Sequence, residues 1–231
     1  MIVPFVAQDD ESKPALASGP VTREAMTEIP PPAYEAHSPV QPVASAVPPH
    51  LKPANFIAIT RRMGELKDTF VLDPTLVVPH AMRPRNEYMH LSLSALLGEV
   101  AAVVYIVGSD GLPSGSKTRM EVFSTMGATR LELHAEEPRA PMAINMSARL
   151  GEASLLLPRS FRGPLRISVM LGEVELSPAL RAATRSFGDG GLFVGDWRKG
   201  ELEQETWNGD EAVLDSKMGS VYVGYDDEKK G

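Results

Sequence analysis

The residue pattern with the clearest chemical meaning is Pro31-Pro32-Ala33-Tyr34, which directly follows Pro30. WW domains bind a preformed polyproline-II segment by stacking its prolines on aromatic side chains, and a further groove takes the tyrosine. Pro31, Pro32 and Tyr34 are therefore the candidate partner-binding residues, and a WW-domain protein is the candidate partner. A four-residue motif also arises by chance in proline-rich segments, so a leader that only keeps the chain soluble stays open as the alternative.

A second group of residues could carry acid–base chemistry. Asp189, Asp196 and Asp210 lie in a glycine-rich connection, residues 188–210, which also contains both tryptophans of the chain. Two carboxylates about 5–9 Å apart are the arrangement that glycoside hydrolysis requires. A carbohydrate-active or other enzyme with its site in residues 188–210 is therefore one alternative. The sequence contains no Gly-x-Ser-x-Gly elbow and no His-Glu-x-x-His motif, so our first expectation is that the chain is not an enzyme.

The sequence gives little sign of a metal or nucleotide site. The chain has no cysteine and five histidines, and no two histidines have the spacing of metal ligands on one helix, so we expect no cofactor. The loop at residues 108–118 is similar to a phosphate loop, but Ser116 stands where such a loop needs its second glycine. Stacked repeats would align four glutamates as an acidic row, which either binds Ca²⁺ or forms a solvated margin: Glu65, Glu99, Glu152 and Glu173.

Six strand–glycine–strand segments occupy the chain from Asn55 onward. Each has Met or Leu directly before the glycine, with apolar residues five and seven positions before it and, in most copies, at alternate positions after it. Alternation with a period of two on both sides of a glycine predicts a strand, a tight turn and a strand, with glycine supplying a positive φ. We expect the Met or Leu side chain to fold inward over the end of the core. The six glycines are Gly64, Gly98, Gly127, Gly151, Gly172 and Gly219.

These repeats predict an all-β fold in which each strand–glycine–strand unit packs against the next. Repeats of roughly 20–50 residues are typical of a solenoid-like stack, and a flattened β-sandwich is the alternative. We assign residues 55–225 to this β-repeat domain, with a short helix within residues 178–187. Residues 1–54 hold eleven of the twenty prolines and no apolar period, which predicts a disordered proline-rich leader. Residues 226–231 are predicted to be a disordered tail.

The net charge and the hydropathy of the sequence indicate which partners and which cellular location to expect. The formal net charge is −7, which disfavours unaided binding to nucleic acid. The longest unbroken apolar run is residues 101–107, whereas a membrane-spanning helix needs about 20 apolar residues. The first eleven residues place three acidic side chains directly after a short apolar run, which does not fit a secretory signal. We therefore expect a cytoplasmic chain with no transmembrane segment and no nucleic-acid partner.

The repeats resemble those of an uncharacterised family of fungal proteins, whose β repeats have the form apolar-x-apolar-Ser-x-x-x-Gly. They are also distantly similar to bacterial adhesin-like, or toastrack, domains. The resemblance spans about residues 55–225 and includes Phe193-Val194-Gly195-Asp196 and the segment from Trp207 to Glu211. It implies a fold of stacked β repeats, with no established enzyme activity and no catalytic residues, and an adhesin-like structural role at a surface is the alternative that it adds. The family usually has Asn before the glycine, where this chain has Met or Leu.

The function expected from these observations is that of a non-catalytic protein-interaction module. In this interpretation the leader recruits a WW-domain partner, and the β domain offers a rigid binding face. The oligomeric state is left open by the sequence.

Overall fold

The computed structural model describes residues 47–78, 89–108, 115–186, 191–196 and 207–228. Within these ranges the chain is almost entirely strand, with one short helix. The elements are β1 (Ile57–Met63), β2 (Leu66–Leu72), β3 (Leu91–Leu97), β4 (Val100–Ile106), β5 (Thr118–Met126), β6 (Thr129–Ala135), β7 (Met142–Leu150), β8 (Ala153–Leu157), β9 (Gly163–Leu171), β10 (Val174–Leu176), α1 (Pro178–Ala182), β11 (Thr184–Ser186), β12 (Leu192–Val194), β13 (Glu211–Met218) and β14 (Val221–Tyr225).

These strands form two sheets. The eight-stranded sheet has the order β1-β3-β5-β7-β13-β9-β12-β11, and the six-stranded sheet has the order β10-β14-β8-β6-β4-β2. The two strands of every repeat lie in different sheets and pair in parallel with the strands of neighbouring repeats. Each repeat is therefore a β-arch, which crosses from one sheet to the other at its glycine, and not a hairpin whose strands pair with each other. The predicted all-β fold of stacked strand–glycine–strand units is confirmed.

The core lies between the two sheets because each strand buries every second side chain. In β4 the inward residues are Val100, Ala102, Val104 and Ile106, all buried, whereas the residues between them are partly exposed. The same alternation runs through β3, β5 and β7 in the facing sheet. Burial of a Val or Leu side chain contributes about 1.5–3 kcal/mol, so the repeated inward rows supply most of the stabilisation of the stack.

The order of the arches in the stack differs from their order in the sequence at one place. The arch of β13 and β14 comes last in the chain, yet it lies between the arch of β7 and β8 and the arch of β9 and β10. Backbone hydrogen bonds join this arch to both neighbours at the bend. The Gly151 N–H donates to the Met218 carbonyl at 2.9 Å, and the Gly219 N–H donates to the Leu171 carbonyl at 2.9 Å. The stack is therefore continuous only when the C-terminal arch is in place.

The six arch glycines are stacked directly on one another. All have positive φ, from 92° at Gly64 to 156° at Gly219, which confirms the predicted role of glycine at the turn. A β-carbon on Gly98 would overlap the carbonyl oxygen of Gly64, and each later glycine in the stack has the same relationship to the glycine before it. Gly64 stands at the end of the stack, and a β-carbon there would meet nothing within 4 Å. Glycine is therefore required by close backbone approach at every arch except the first.

Residues just outside both predicted domain boundaries contact the β domain. Ala54, at the end of the predicted leader, forms a parallel bridge with Leu72, and its N–H donates to Val71 at 2.9 Å. At the other end, the first three residues of the predicted tail each bond to the domain through their side chains: Asp226 to His134, Asp227 to Arg159, and Glu228 to Ser177. These contacts join residues 54 and 226–228 to the β domain.

The short helix α1 begins where its sequence favours it. Ser177 caps the N-terminus by accepting a hydrogen bond from the Leu180 N–H at 3.3 Å, and Pro178 occupies the first turn. Leu180 is fully buried. The predicted short helix in residues 178–187 is confirmed over its first half. Among the described residues, no helix has the length and hydropathy needed to cross a membrane.

Candidate protein-interaction surface at the arch edge

The edge of the stack at which the chain turns, here called the arch edge, carries a line of exposed apolar side chains. They belong to the Met or Leu before each glycine and are 39–73% exposed. Strand register places each beside the next, because Met63 pairs with Leu97, and the same pairing continues along the sheet. With strands about 4.8 Å apart, the line is about 24 Å long. We call it the apolar ladder; in stack order it comprises Met63, Leu97, Met126, Leu150, Met218 and Leu171.

The outward direction of the apolar ladder corrects the prediction that these side chains fold inward. The interior at the bend is filled by the residue three positions before the glycine, which is small and buried in the middle arches, as at Ala95, Ser124 and Ala148. The chain then turns so tightly that the alternation of the strand ends there. The Met or Leu directly before the glycine lies on the outside of the bend, beside its counterparts in the neighbouring arches and partly exposed to solvent.

Charged side chains of opposite sign lie on the two sides of the apolar ladder. The residue before each ladder residue projects from the eight-stranded sheet, and three of these six positions are basic and exposed; we call them the basic column: Arg62, Arg149 and Lys217. The residue after each glycine begins the six-stranded side, and four of these positions are acidic; we call them the acidic column: Glu65, Glu99, Glu152 and Glu173. The arch edge is therefore an apolar strip with one basic and one acidic margin.

The acidic column is the row of glutamates that the sequence predicts, and its order in the stack is now defined. Ala128 and Ser220 interrupt it. Lys67 lies between the first two glutamates, with its Nζ 3.0 Å from Glu65 and 3.3 Å from Glu99. Hydrogen bonds to Glu65 and then Glu99 raise the pKa of Lys67. Within the described ranges, no three or more Asp, Glu, His or Cys side chains are grouped so that they could hold a metal ion.

The first arch differs from the others at the position that is small and buried elsewhere. Arg61 occupies it and pairs in register with Ala95. Its side chain folds over the end of the arch and donates from Nη1 to the carbonyl of Glu65 at 2.7 Å. A charge at an inward position of an edge strand opposes pairing with further strands, so Arg61 marks this end of the stack as a terminus.

The carboxylates that the sequence proposed for acid–base chemistry occupy different environments. Asp210 is buried and bidentate with Arg139, at 2.7 Å for each N–O contact, and it also accepts the N–H groups of Met142 at 2.8 Å and Arg162 at 2.9 Å. The side chain of Asp196 is 99% exposed. Four hydrogen bonds to one carboxylate hold the segments around β7 and β9 in place. Asp189 lies outside the described residues.

Trp207 reinforces the same clamp. Its indole Nε1 donates to the carbonyl of Asp210 at 2.7 Å, and its ring packs edge-on against Phe193 with centroids 5.3 Å apart. A cavity of about 350 Å³ adjoins Trp207, Arg139 and Asp210. Arg139, Ser160 and Asp210 in its wall are already engaged by the clamp, which indicates a structural role for these three side chains.

A polar cluster around His134, which was not predicted from the sequence, lies on the outer face of the six-stranded sheet. His134 contacts Asp226 through Nδ1 and Glu132 through Nε2, each at 2.9 Å, and its ring stacks on Tyr105 at 4.8 Å. A cavity of about 360 Å³ beside it extends to Val47. Register explains the stacking, because Tyr105 and His134 are paired residues of β4 and β6. The contact of His134 with Asp226 could not be predicted in this way, because Asp226 lies outside the strands, in the acidic segment that follows β14.

The candidate partner-binding residues Pro31, Pro32 and Tyr34 lie outside the described residues. All four glutamates of the acidic column were predicted from the sequence, whereas the apolar ladder was not predicted to be an exposed surface. The signal that could have found it was the presence of a large apolar residue before all six glycines, at a position where a turn normally has a polar residue.

Comparison with known proteins identifies a family for the β domain. The model of a domain of unknown function (DUF7330) matches residues 55–228, which begins at the predicted domain start and ends where the described chain ends. No curated protein and no solved structure matches the chain. The predicted similarity to an uncharacterised domain family is confirmed, and the chain belongs to the family of the domain of unknown function DUF7330.

Proposed function

We propose that this protein is a non-catalytic protein-interaction module. The β domain provides a rigid contact surface at the arch edge, and the leader presents Pro31, Pro32 and Tyr34 to a WW-domain partner. The apolar ladder is the observation that supports the first part: six large apolar side chains, exposed on six successive arches, form one strip. A cytoplasmic location belongs to the same proposal, because it would let the leader meet WW-bearing proteins.

The size and composition of the strip favour protein binding. The ladder side chains, with Leu96 and Met170 exposed beside them, present several hundred Å² of apolar surface, and patches of that size on soluble proteins are commonly functional. Methionine, which supplies half of the ladder, is enriched in interface cores because its flexible thioether adapts to a partner. A charged margin on each side gives such a surface orientation as well as affinity.

The rigidity of the arch edge also favours binding. Every ladder residue is followed by a glycine of the stack, and neighbouring arches are joined by backbone hydrogen bonds such as Gly98 N–H to Met126 at 2.8 Å and Gly127 N–H to Leu150 at 2.9 Å. A surface that is already ordered loses little conformational entropy when a partner binds, so more of the contact energy remains as affinity.

Photo-crosslinking in the full chain tests the contact surface. A benzophenone amino acid at Met218, in the apolar ladder, is expected to form protein adducts in the native cell. The matched control is Val213, which is exposed and apolar on the same strand but lies away from the arch edge. Adducts at Met218 and none at Val213 support the proposal. Equal or absent adducts at the two positions would overturn the assignment of this surface.

Titration of the full chain with isolated WW domains tests the leader. The wild-type chain is expected to bind at least one WW domain of the Pro-Pro-x-Tyr class, and Tyr34→Ala is expected to abolish that binding. Ala33→Ser leaves the motif intact and should bind as the wild type does. If Tyr34→Ala binds as tightly as the wild type, the motif is not the recognition element.

A further inference from the structure

We propose that the partner of the arch edge is a second copy of this chain, and that the two copies meet along their apolar ladders with the stacks running in the same direction. This inference rests on the proposed function, since it identifies the partner for the same surface. Two observations carry it: the ladder is a continuous strip with one residue per arch, and its two margins carry opposite charges.

The shape of the ladder suits a two-fold interface. The six side chains lie on one line about 24 Å long, so a two-fold axis parallel to that line sets each residue against its own counterpart in the other copy. A standard protein interface buries about 800 Å² per partner. The ladder, with Leu96 and Met170 exposed beside it, would supply the apolar centre of such an interface, and the two charged columns would supply its rim.

Charge selects the direction in which the two copies align. The two-fold axis along the ladder turns the basic column of one copy toward the acidic column of the other, arch by arch. Arg149 then faces the partner's Glu152, and Lys217 lies between the partner's Glu152 and the partner's Glu173. Arg149 lies over the Phe123 ring, 5.7 Å from its centroid, and no acidic side chain among the described residues pairs with it, so its guanidinium can take an acidic neighbour.

The opposite alignment is disfavoured by the same charges. An axis across the ladder would place each column beside the column of the same sign, with Glu65 of one copy facing the partner's Glu173 and no residue of the basic column facing the acidic column. Like charges brought together across an interface cost affinity and exclude that arrangement. Only the parallel alignment therefore combines apolar burial with opposite charges on both margins.

A dimer of this kind would change how the leader binds. The two copies would present two Pro-Pro-x-Tyr motifs at once, so a protein with tandem WW domains could bind both. Bivalent binding raises the apparent affinity by about 10²–10⁴ when the linker lengths allow both contacts. The dimer thus connects the two parts of the proposed module.

Charge exchange at the margins tests the dimer in sedimentation experiments on the full chain. The acidic variant Arg149→Glu/Lys217→Glu and the basic variant Glu152→Lys/Glu173→Lys each place like charges on both margins, so each alone is expected to dissociate at least about tenfold more readily than the wild type. An equimolar mixture of the two variants should regain dimers, because every acidic margin then meets a basic one. Thermal unfolding of each variant shows whether it remains folded.

Variants in the apolar ladder and chemical cross-linking provide a second, independent test of the dimer. Met126→Asp, at the middle of the ladder, is expected to give a monomer that still unfolds cooperatively, with a melting temperature that does not depend on protein concentration. Because the chain has no cysteine, Met126→Cys offers one site for a short bis-maleimide, which should join two copies, whereas Asn145→Cys on the outer face of β7 should not.

The outcomes separate this inference from the proposed function. A wild-type chain that is monomeric up to about 100 μM, or a dimer that neither charge variant weakens, overturns the dimer. If a photo-crosslinker at Met218 then forms adducts with other proteins but not with a second copy of this chain, the proposed interaction module is retained and its partner is a different protein. If Met218 forms no adduct of any kind, both proposals fail.

Discussion

A β-carbon on Gly127 would overlap the carbonyl oxygen of Gly98 in the neighbouring arch. Gly127→Ala is therefore expected to lower the free energy of unfolding by at least about 3 kcal/mol, because the backbone must move and alanine is strained at a φ of 152°. The matched control is Gly64→Ala, which meets no atom within 4 Å and should cost only about 1–2 kcal/mol for its positive φ. Urea denaturation of the two variants measures the difference; equal losses would refute the close approach.

The Asp210 clamp gives a second prediction. Asp210→Asn leaves the buried Arg139 guanidinium without its counter-charge, so the free energy of unfolding should fall by about 3–5 kcal/mol. Asp196→Asn removes a fully solvated carboxylate and should change stability by less than about 0.5 kcal/mol. Denaturant titrations of both variants test this contrast, and a neutral Asp210→Asn would show that the clamp does not stabilise the domain.

Stability should depend on pH through His90. Burial, and then the nearby Arg119 charge, lowers the pKa of His90 to about 4 from its ordinary value of 6.5, and Nδ1 accepts the Arg119 N–H at 3.0 Å. Between these pH values the unfolded chain binds a proton that the folded chain does not. Stability should therefore fall as pH drops from about 6.5 to about 4, by roughly 3 kcal/mol from this residue.

His90→Asn isolates that contribution, because the Asn side-chain oxygen can accept the same N–H without titrating. The difference in unfolding free energy between the wild type and His90→Asn is expected to change across this pH window and to be constant above it. A difference that does not vary with pH would mean that His90 is protonated equally in both states.

One substitution is expected to stabilise the protein. The hydroxyl of Thr129 is buried without a hydrogen-bond partner among the described residues, whereas the residues in line with it on the adjacent strands include Val100. Thr129→Val keeps the shape and removes the unsatisfied group, so the free energy of unfolding should rise by about 1 kcal/mol. Thr184→Val is the control: Thr184 donates to the Leu180 carbonyl at 2.6 Å, and its loss should destabilise by a similar amount. Calorimetry of the two variants measures both changes. A Thr129→Val variant that is less stable than the wild type, or a Thr184→Val variant that is more stable, would contradict the prediction.

Local sequence patterns predicted the elements of this fold because they act within one arch. Alternating apolar residues and a glycine specify two strands and a bend, and every predicted glycine lies at such a bend. The same pattern occurs in all six arches, so it defines which face is buried and not which arch lies next to which. The insertion of β13 beside β7 could not be predicted for that reason.

The exposed surface at the arch edge and the Asp210 clamp could not be predicted from the alternation of apolar residues. Met126 was expected inside because the period of two, continued to the glycine, points it inward; the bend ends that period earlier, after the small residue Ser124. Asp210 and Arg139 are 71 positions apart, and nothing in either local segment signals that they meet. The glutamates were found because they follow the glycines directly, where the repeat itself fixes their place.

The late position of the arch of β13 and β14 has a consequence for synthesis of the chain. Until Tyr225 has left the ribosome, β7 and β9 each lack one neighbour, and both present unpaired backbone groups to their surroundings. A nascent chain in that state is open to pairing with identical strands of other chains. The middle layer of the stack is thus inserted after both of its neighbours, and a chain that stops between β10 and β13 leaves β7 and β9 with unpaired edges at that position.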